Sequence, residues 1–177
     1  MEKNRTTHMI LLDFQKAFDS VWHKALLTKL HNIGIPAQLW KIISNYLLHG
    51  NFSVTINGTY STLKKVEAGV PQGSIPGPLL FLTYINDLPL DNNANIAIYA
   101  DDTAVYASSW SPDKASTYIQ GHMDTLINYF NNWKLLINPT KMQAISFPNK
   151  RTERPKQIKI VGHNIPWPPQ SNSLGYF

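Results

Sequence analysis

The sequence predicts an α+β fold in one domain spanning residues 1–177. Three observations predict it. Apolar stretches that read as strands alternate along the chain with stretches at helical spacing. In two places a strand-like run doubles back through a tight turn, which calls for antiparallel pairing. Of the 177 residues, 43% are hydrophobic and 15% charged, enough apolar material for a sizeable core.

The elements follow in order. Met9-Ile10-Leu11-Leu12 reads as a buried strand that ends on the carboxylate of Asp13. Leu26, Leu27, Leu30 and Ile33 recur at helical spacing until Gly34 and Pro36 stop the run. A second amphipathic helix carries Leu39, Ile42, Ile43, Tyr46 and Leu47 on one face. Phe52-Ser53-Val54-Thr55-Ile56 alternates, and Asn57-Gly58 turns it into a returning strand over residues 60–66. The Pro- and Gly-rich run Gly69-Val70-Pro71-Gln72-Gly73-Ser74-Ile75-Pro76-Gly77-Pro78 is irregular, with Pro78 placed to open a helix through Leu79-Leu80-Phe81-Leu82. Ile96-Ala97-Ile98-Tyr99 and Thr103-Ala104-Val105-Tyr106-Ala107 flank Ala100-Asp101-Asp102 as a tight hairpin. Ile119, Met123, Leu126, Ile127 and Phe130 mark another helix, and Gln143-Ala144-Ile145-Ser146-Phe147 a further strand.

Composition excludes several classes. The chain has no cysteine, so disulfides, Cys-ligated zinc and iron–sulfur clusters are ruled out, as in many intracellular proteins. The longest fully apolar runs are a few residues, far below the ~20 that span a bilayer, and the first residues lack the pattern of a signal peptide. The formal net charge is +5. Residues 141–163 hold Lys141, Lys150, Arg151, Arg154, Lys156 and Lys159 against Glu153. Such a stretch can neutralise phosphates, although a solvated loop has the same composition.

Asp13 ends one apolar strand, and Asp101-Asp102 crown a hairpin of two others. If those strands are neighbours in one sheet, three carboxylates converge at its edge, an arrangement that costs electrostatic energy unless cations occupy it. Hard oxygen ligands suit Mg²⁺, and two such ions about 3.5–4 Å apart serve phosphoryl transfer. Each carboxylate also has a plainer reading, as turn chemistry or as a helix cap.

Taken in order, Asp13-Phe14-Gln15-Lys16-Ala17-Phe18-Asp19, Gly69-Val70-Pro71-Gln72-Gly73-Ser74 and Tyr99-Ala100-Asp101-Asp102 resemble the palm of reverse transcriptases. Their wording is similar to non-LTR (LINE-type) retrotransposons of the jockey group. Asn138-Pro139-Thr140-Lys141 resembles the next motif, and Leu174-Gly175-Tyr176 the start of the one after. The resemblance implies a polymerase palm: an antiparallel sheet carrying the catalytic carboxylates, with helices packed on one face.

It implies an RNA-directed DNA polymerase that adds dNTPs to a primer 3′-hydroxyl, with RNA template and DNA primer as partners. Asp13, Asp101 and Asp102 would hold Mg²⁺, with Mn²⁺ as a possible substitute. Phe18 would lie under the sugar of the incoming nucleotide and exclude a 2′-hydroxyl; core packing is its plainer role. Gln72 and Gly73 would line the nucleotide and template pocket, and Lys141 would neutralise or protonate the departing pyrophosphate. Asp19 reads as a carboxylate at a helix start. The histidines show no paired metal spacing.

The same resemblance implies fingers before Asp13 and a thumb after Tyr176, so this chain reads as a palm from a larger polyprotein that also carries an endonuclease. It implies work in the nucleus and no membrane. Pro76 and Met142 depart from the family wording, which leaves open a degenerate, catalytically silent palm that at most binds nucleic acid. A metal nuclease of the RNase H type also uses clustered carboxylates, but it leaves residues 69–74 unexplained.

Overall fold

The structure, a computed structural model, describes residues 5–148 and 155–167. In chain order it forms β1 (Thr6–Leu12), a 3₁₀ turn (Phe18–Ser20), α1 (His23–Ile33), α2 (Ala37–Leu48), β2 (Asn51–Phe52), β3 (Thr55–Ile56), β4 (Thr59–Tyr60) and β5 (Lys64–Lys65). There follow α3 (Pro76–Ile85), β6 (Asn95–Tyr99), β7 (Asp102–Ser109), α4 (Pro112–Asn132), β8 (Gln143–Phe147), β9 (Ile158–Ile160) and β10 (His163–Ile165). The chain gathers into two compact units, Met1–Gln15 with Leu88–Phe177, and Lys16–Asp87.

The first unit is built on a four-stranded antiparallel sheet of order β6-β7-β1-β8. Strand alternation sends Thr6, His8, Ile10 and Leu12 of β1, and Thr103, Val105 and Ala107 of β7, to a buried face. The helix α4 covers that face with Ala115, Ile119, Met123, Leu126 and Phe130, which recur at helical spacing and are all buried. The opposite face, with Thr7, Met9, Leu11, Ala104 and Tyr106, is half-exposed. The expected strand at residues 9–12 is thus buried on one side only, as befits an antiparallel sheet with one solvated face.

Residues 158–165 form a hairpin that sequence reasoning passed over. Val161 and Gly162 turn it at positive φ (49° and 77°), and Ile158, Ile160 and Ile165 are buried beneath it. Gln120 of α4 fastens the hairpin through its side-chain amide. Its Oε1 accepts from the Lys159 amide at 2.8 Å, and its Nε2 donates to the Lys159 carbonyl at 2.8 Å.

In the second unit α1 packs against α2 and α3. Gly34 ends α1 in the left-handed conformation at φ 82°, donating back to the carbonyls of Leu30 and His31. The helix α3 begins at Pro76, earlier than the expected start near Leu79. Pro76 takes the first helical position, where proline's fixed φ is an advantage and its missing N–H costs nothing. The run over 51–65 is two short pairings, β2 with β5 and β3 with β4, turned by Asn57 and Gly58. The expected apolar face of α2 is largely exposed: Leu39, Ile42 and Tyr46 face solvent, and of that stripe only Leu47 is buried.

Buried charge in this unit is paired. The Lys29 ammonium donates to the Tyr84 carbonyl at 2.6 Å and to Asp87 at 2.5 Å, while burial lowers its pKa against the pull of that carboxylate. In the first unit, Asp91 caps its turn, accepting from the amides of Asn93 and Ala94 at 2.7 and 3.1 Å. Among the described residues no helix is long and apolar enough to cross a membrane.

Candidate active site

The sheet brings both sequence-predicted carboxylate segments, Asp13 and Asp101-Asp102, to one end. β1 and β7 pair antiparallel with Leu12 opposite Thr103, so Asp13 follows on one strand where Asp102 begins the other. Phe14, the residue after Asp13, turns its ring edge-on to Phe130 of α4 with centroids 5.1 Å apart. Phe14 therefore faces the helix, and by alternation Asp13 faces the open side of the sheet together with Asp102.

The hairpin between β6 and β7 closes with Tyr99 opposite Asp102, leaving Ala100 and Asp101 as a two-residue turn. Ala100 stands at φ 54°, a conformation that an L-residue other than glycine adopts at a cost of ~1 kcal/mol or more. Asp101 and Asp102 are exposed and Asp13 half-buried. Beside them the open face carries a shallow cavity of about 400 Å³, lined by Leu11, Leu12, Ala97, Tyr99, Asp102 and Ala104 among others. Tyr99 is 83% exposed at its rim.

A third segment joins this end through the backbone. Asn138 donates from its amide to the Asp13 carbonyl at 2.8 Å, and the Gln15 amide donates to the Leu136 carbonyl at 2.7 Å. The Gln15 side chain adds a bond to the Ile137 carbonyl at 3.1 Å. Residues 136–138 thus extend the pairing of β1 beyond Leu12, and the turn that follows is closed by the Lys141 amide on the Asn138 carbonyl at 3.1 Å. Lys141 is exposed on that turn. Met142, one of the departures from the family wording, is 4% exposed and belongs to the apolar core of this unit.

Among the described residues no three His, Cys, Asp or Glu side chains gather closely enough to cage a metal ion by themselves. The donors at this end are carboxylates from two adjacent strands. That set fits Mg²⁺, which binds through one or two carboxylates and takes its remaining ligands from water and substrate phosphates.

The other sequence-predicted residues lie in the second unit. Phe18 opens the 3₁₀ turn, half-buried, its ring 4.9 Å from that of Phe81 on α3. Gln72 and Gly73 occupy the centre of a tight turn closed by the Ser74 amide on the Pro71 carbonyl at 3.3 Å. Gly73 is needed there for its φ of 76°, as in a type II turn, while a Cβ on it would meet nothing within 4 Å. The Ser74 hydroxyl ties the turn to α3, donating to the Pro71 carbonyl at 2.6 Å and accepting from the Gly77 amide at 3.1 Å.

What sequence reasoning missed is how this loop is held. The amides of Gly69 and Val70 donate to the carbonyls of Val21 and Phe18 at 2.9 and 2.8 Å. The buried His23 ring donates from Nε2 to the Gly69 carbonyl at 2.7 Å. Asp19 accepts from the Gln72 side-chain amide at 3.1 Å. Asp19 therefore serves the loop and not the start of α1, which lies at His23. Lys150, Arg151, Glu153 and Arg154 of the basic stretch, and Leu174-Gly175-Tyr176, lie outside the described residues.

A family model described as "Reverse transcriptase (RNA-dependent DNA polymerase)" matches residues 1–165. The chain is 35% identical over 158 residues to the RNA-directed DNA polymerase from mobile element jockey of Drosophila melanogaster, covering 85% of this chain and 17% of that one. Its counterpart from Drosophila funebris is 36% identical over 157 residues, covering 84% of this chain and 17% of that one. The chain thus spans under a fifth of the length of these curated relatives. Among solved structures, an apo telomerase from Candida tropicalis superposes over 90% of this chain and 34% of its own with a TM-score of 0.64 at 14% identity, a likeness of fold.

Proposed function

The chain belongs to the reverse transcriptase (RNA-dependent DNA polymerase) family, and from that premise we propose that it supplies the palm of an RNA-directed DNA polymerase of the jockey type. The reaction is addition of a dNTP to a primer 3′-hydroxyl on an RNA template, with release of pyrophosphate. The observation that carries this reading is the β1–β7 register, which sets Asp13 beside Asp102 on the open face of the sheet, next to the turn bearing Asp101.

Asp13, Asp101 and Asp102 are the residues that would hold Mg²⁺ or Mn²⁺. Bound there, the cations supply activation of the primer hydroxyl and stabilisation of the leaving oxygen. The protein's own part is positioning and electrostatics. Hydrogen bonding among three backbone segments fixes the sheet edge from which the carboxylates project. Lys141, on the turn tied through Asn138 to Asp13, offers a positive charge to the departing pyrophosphate. Phe18 and the 69–74 loop select and seat the nucleotide, with the ring of Phe18 denying room to a 2′-hydroxyl.

Neither departure from the family wording argues for a silent palm. Pro76 fits the first position of α3, and Met142 is absorbed by the core.

The test is primer extension by the purified chain on an RNA template with dNTPs and Mg²⁺ or Mn²⁺, with Asp101→Asn alongside. Extension by the wild type and its loss in the variant are expected. Melting curves give a readout independent of activity: Mg²⁺ raises the Tm of the wild type and not that of Asp101→Asn. Near-normal extension by Asp101→Asn overturns the assignment of roles. Absence of both extension and the Mg²⁺ effect favours a silent palm.

A further inference from the structure

We propose that Asp19 is a positioning residue for Gln72, locking its side-chain amide in one orientation so that the 69–74 loop meets the nucleotide preformed. The inference rests on the reading of that loop as part of the nucleotide site and assigns a task to a carboxylate that holds no metal.

The chemistry is directional. An ionised carboxylate only accepts hydrogen bonds, whereas a Gln amide presents an acceptor on one side and a donor on the other. The 3.1 Å bond from Gln72 Nε2 to Asp19 Oδ1 therefore decides which way the amide faces, and it leaves the carbonyl oxygen as the free acceptor. Without such a partner, an exposed glutamine at the tip of a turn samples several rotamers and both amide senses, and ordering it on binding costs affinity.

The seat of this bond is rigid. Phe18 and Val21, on either side of Asp19, take the amides of Val70 and Gly69 at 2.8 and 2.9 Å. His23 adds a buried bond to the Gly69 carbonyl at 2.7 Å. Gly69 stands at φ 93°, and a Cβ there would lie 3.0 Å from both the Cα and the carbonyl oxygen of Asp19. Asp19 and the loop are thus in backbone contact. Asp19 and Gln72 are both exposed, so their bond contributes little to stability. Its consequence is orientation.

The experiment is a double-mutant cycle in the full chain, read by single-nucleotide extension with the Asp101→Asn variant as the inactive control. Asp19→Ala is expected to raise the KM for dNTP by about three- to tenfold with kcat within about twofold, the worth of one ordered hydrogen bond. Asp19→Asn, which keeps an acceptor oxygen, restores most of the wild-type KM. Gln72→Ala with Asp19→Ala is no worse than Gln72→Ala alone, because Asp19 acts only through Gln72.

Additive losses in the double variant, a change confined to kcat, or no rescue by Asp19→Asn overturns the proposal while leaving the polymerase reading intact. If the wild type does not extend the primer, fluorescent dNTP binding with Mg²⁺ replaces KM in the same cycle. A wild type that neither extends nor binds overturns the polymerase reading itself, and the positioning role with it.

Discussion

Leu12 stands directly opposite Thr103 across the β1–β7 pair, and one step beyond this pairing each strand bears a carboxylate, Asp13 or Asp102. In an antiparallel pair such neighbours lie about 4.5–5.5 Å apart at Cα. Two negative side chains on such neighbours repel, and a divalent cation would turn the repulsion into a binding site. Replacing either Asp13 or Asp101 by Asn should therefore cut primer extension about 100-fold or more, since several kcal/mol of transition-state stabilisation is lost. Circular dichroism should remain that of the wild type, because neither side chain belongs to the core.

Ala100 provides a test of the hairpin that carries Asp101. At φ 54° it is strained by its Cβ. Ala100→Gly relieves that strain but loosens the unfolded chain, so the two effects nearly cancel and stability should stay within about 0.5 kcal/mol. Ala100→Val puts a β-branched residue where it is least tolerated and should cost about 1–3 kcal/mol while lowering extension. Thermal melts read beside extension rates check both.

Phe18 has two roles to separate. Its ring lies 4.9 Å from that of Phe81, so Phe18→Ala forfeits an aromatic pair worth about 1 kcal/mol as well as the buried area. If the ring also excludes the 2′-hydroxyl, the same variant should narrow the preference for dNTP over rNTP by about tenfold or more. Competition assays with paired dNTP and rNTP measure this, and a destabilised variant with unchanged preference assigns Phe18 to packing alone.

Gly69 and Gly77 should differ from Gly73 in how they tolerate a side chain. A Cβ on Gly77 would sit 2.8 Å from the Pro71 carbonyl oxygen and one on Gly69 3.0 Å from Asp19 backbone atoms, whereas at Gly73 the space is open. Gly69→Ala combines positive φ with that clash and should destabilise by about 2–3 kcal/mol. Gly73→Ala bears only the φ penalty, about 1 kcal/mol. Urea melts of the two variants test the ranking.

Much of the fold and part of the candidate site were legible in the sequence for physical reasons. The hairpin over residues 95–109 announced itself by apolar runs around a short polar turn, and α1 by leucines that stop at Gly34. Motif order marked Asp13, Asp101, Asp102 and Lys141, but strand adjacency, which brings Asp13 beside Asp102, is a long-range pairing that no local pattern encodes. The anchoring of the Lys141 turn on the Asp13 carbonyl is backbone chemistry and leaves no side-chain signal. His23 and Asp19 were readable only as a histidine without a metal partner and an acid near a helix start, since their targets lie some fifty residues away. The Ile158, Ile160 and Gly162 pattern did carry a hairpin signal, which the surrounding charge obscured.

His8 links fold stability to pH. Its side chain is 0% exposed on the helix-facing side of β1, and the ring lies 4.8 Å from that of Trp167. Burial pushes its pKa down to about 4, outweighing the Pro112 backbone and the Asp113 charge that pull upward. The unfolded chain takes up this proton near pH 6.5, whereas the folded protein resists until about 4. His8 thus leaves stability intact above pH 6.5 and erodes it progressively as pH falls through 4, by about 3 kcal/mol in all. His122, buried on α4 and also lowered by desolvation, acts in the same direction. A His8→Phe variant, of similar shape and without a titrating group, should flatten the decline between pH 6.5 and 4 relative to wild type. Urea titrations across that range measure it, and parallel curves for the two proteins would assign the acid sensitivity elsewhere.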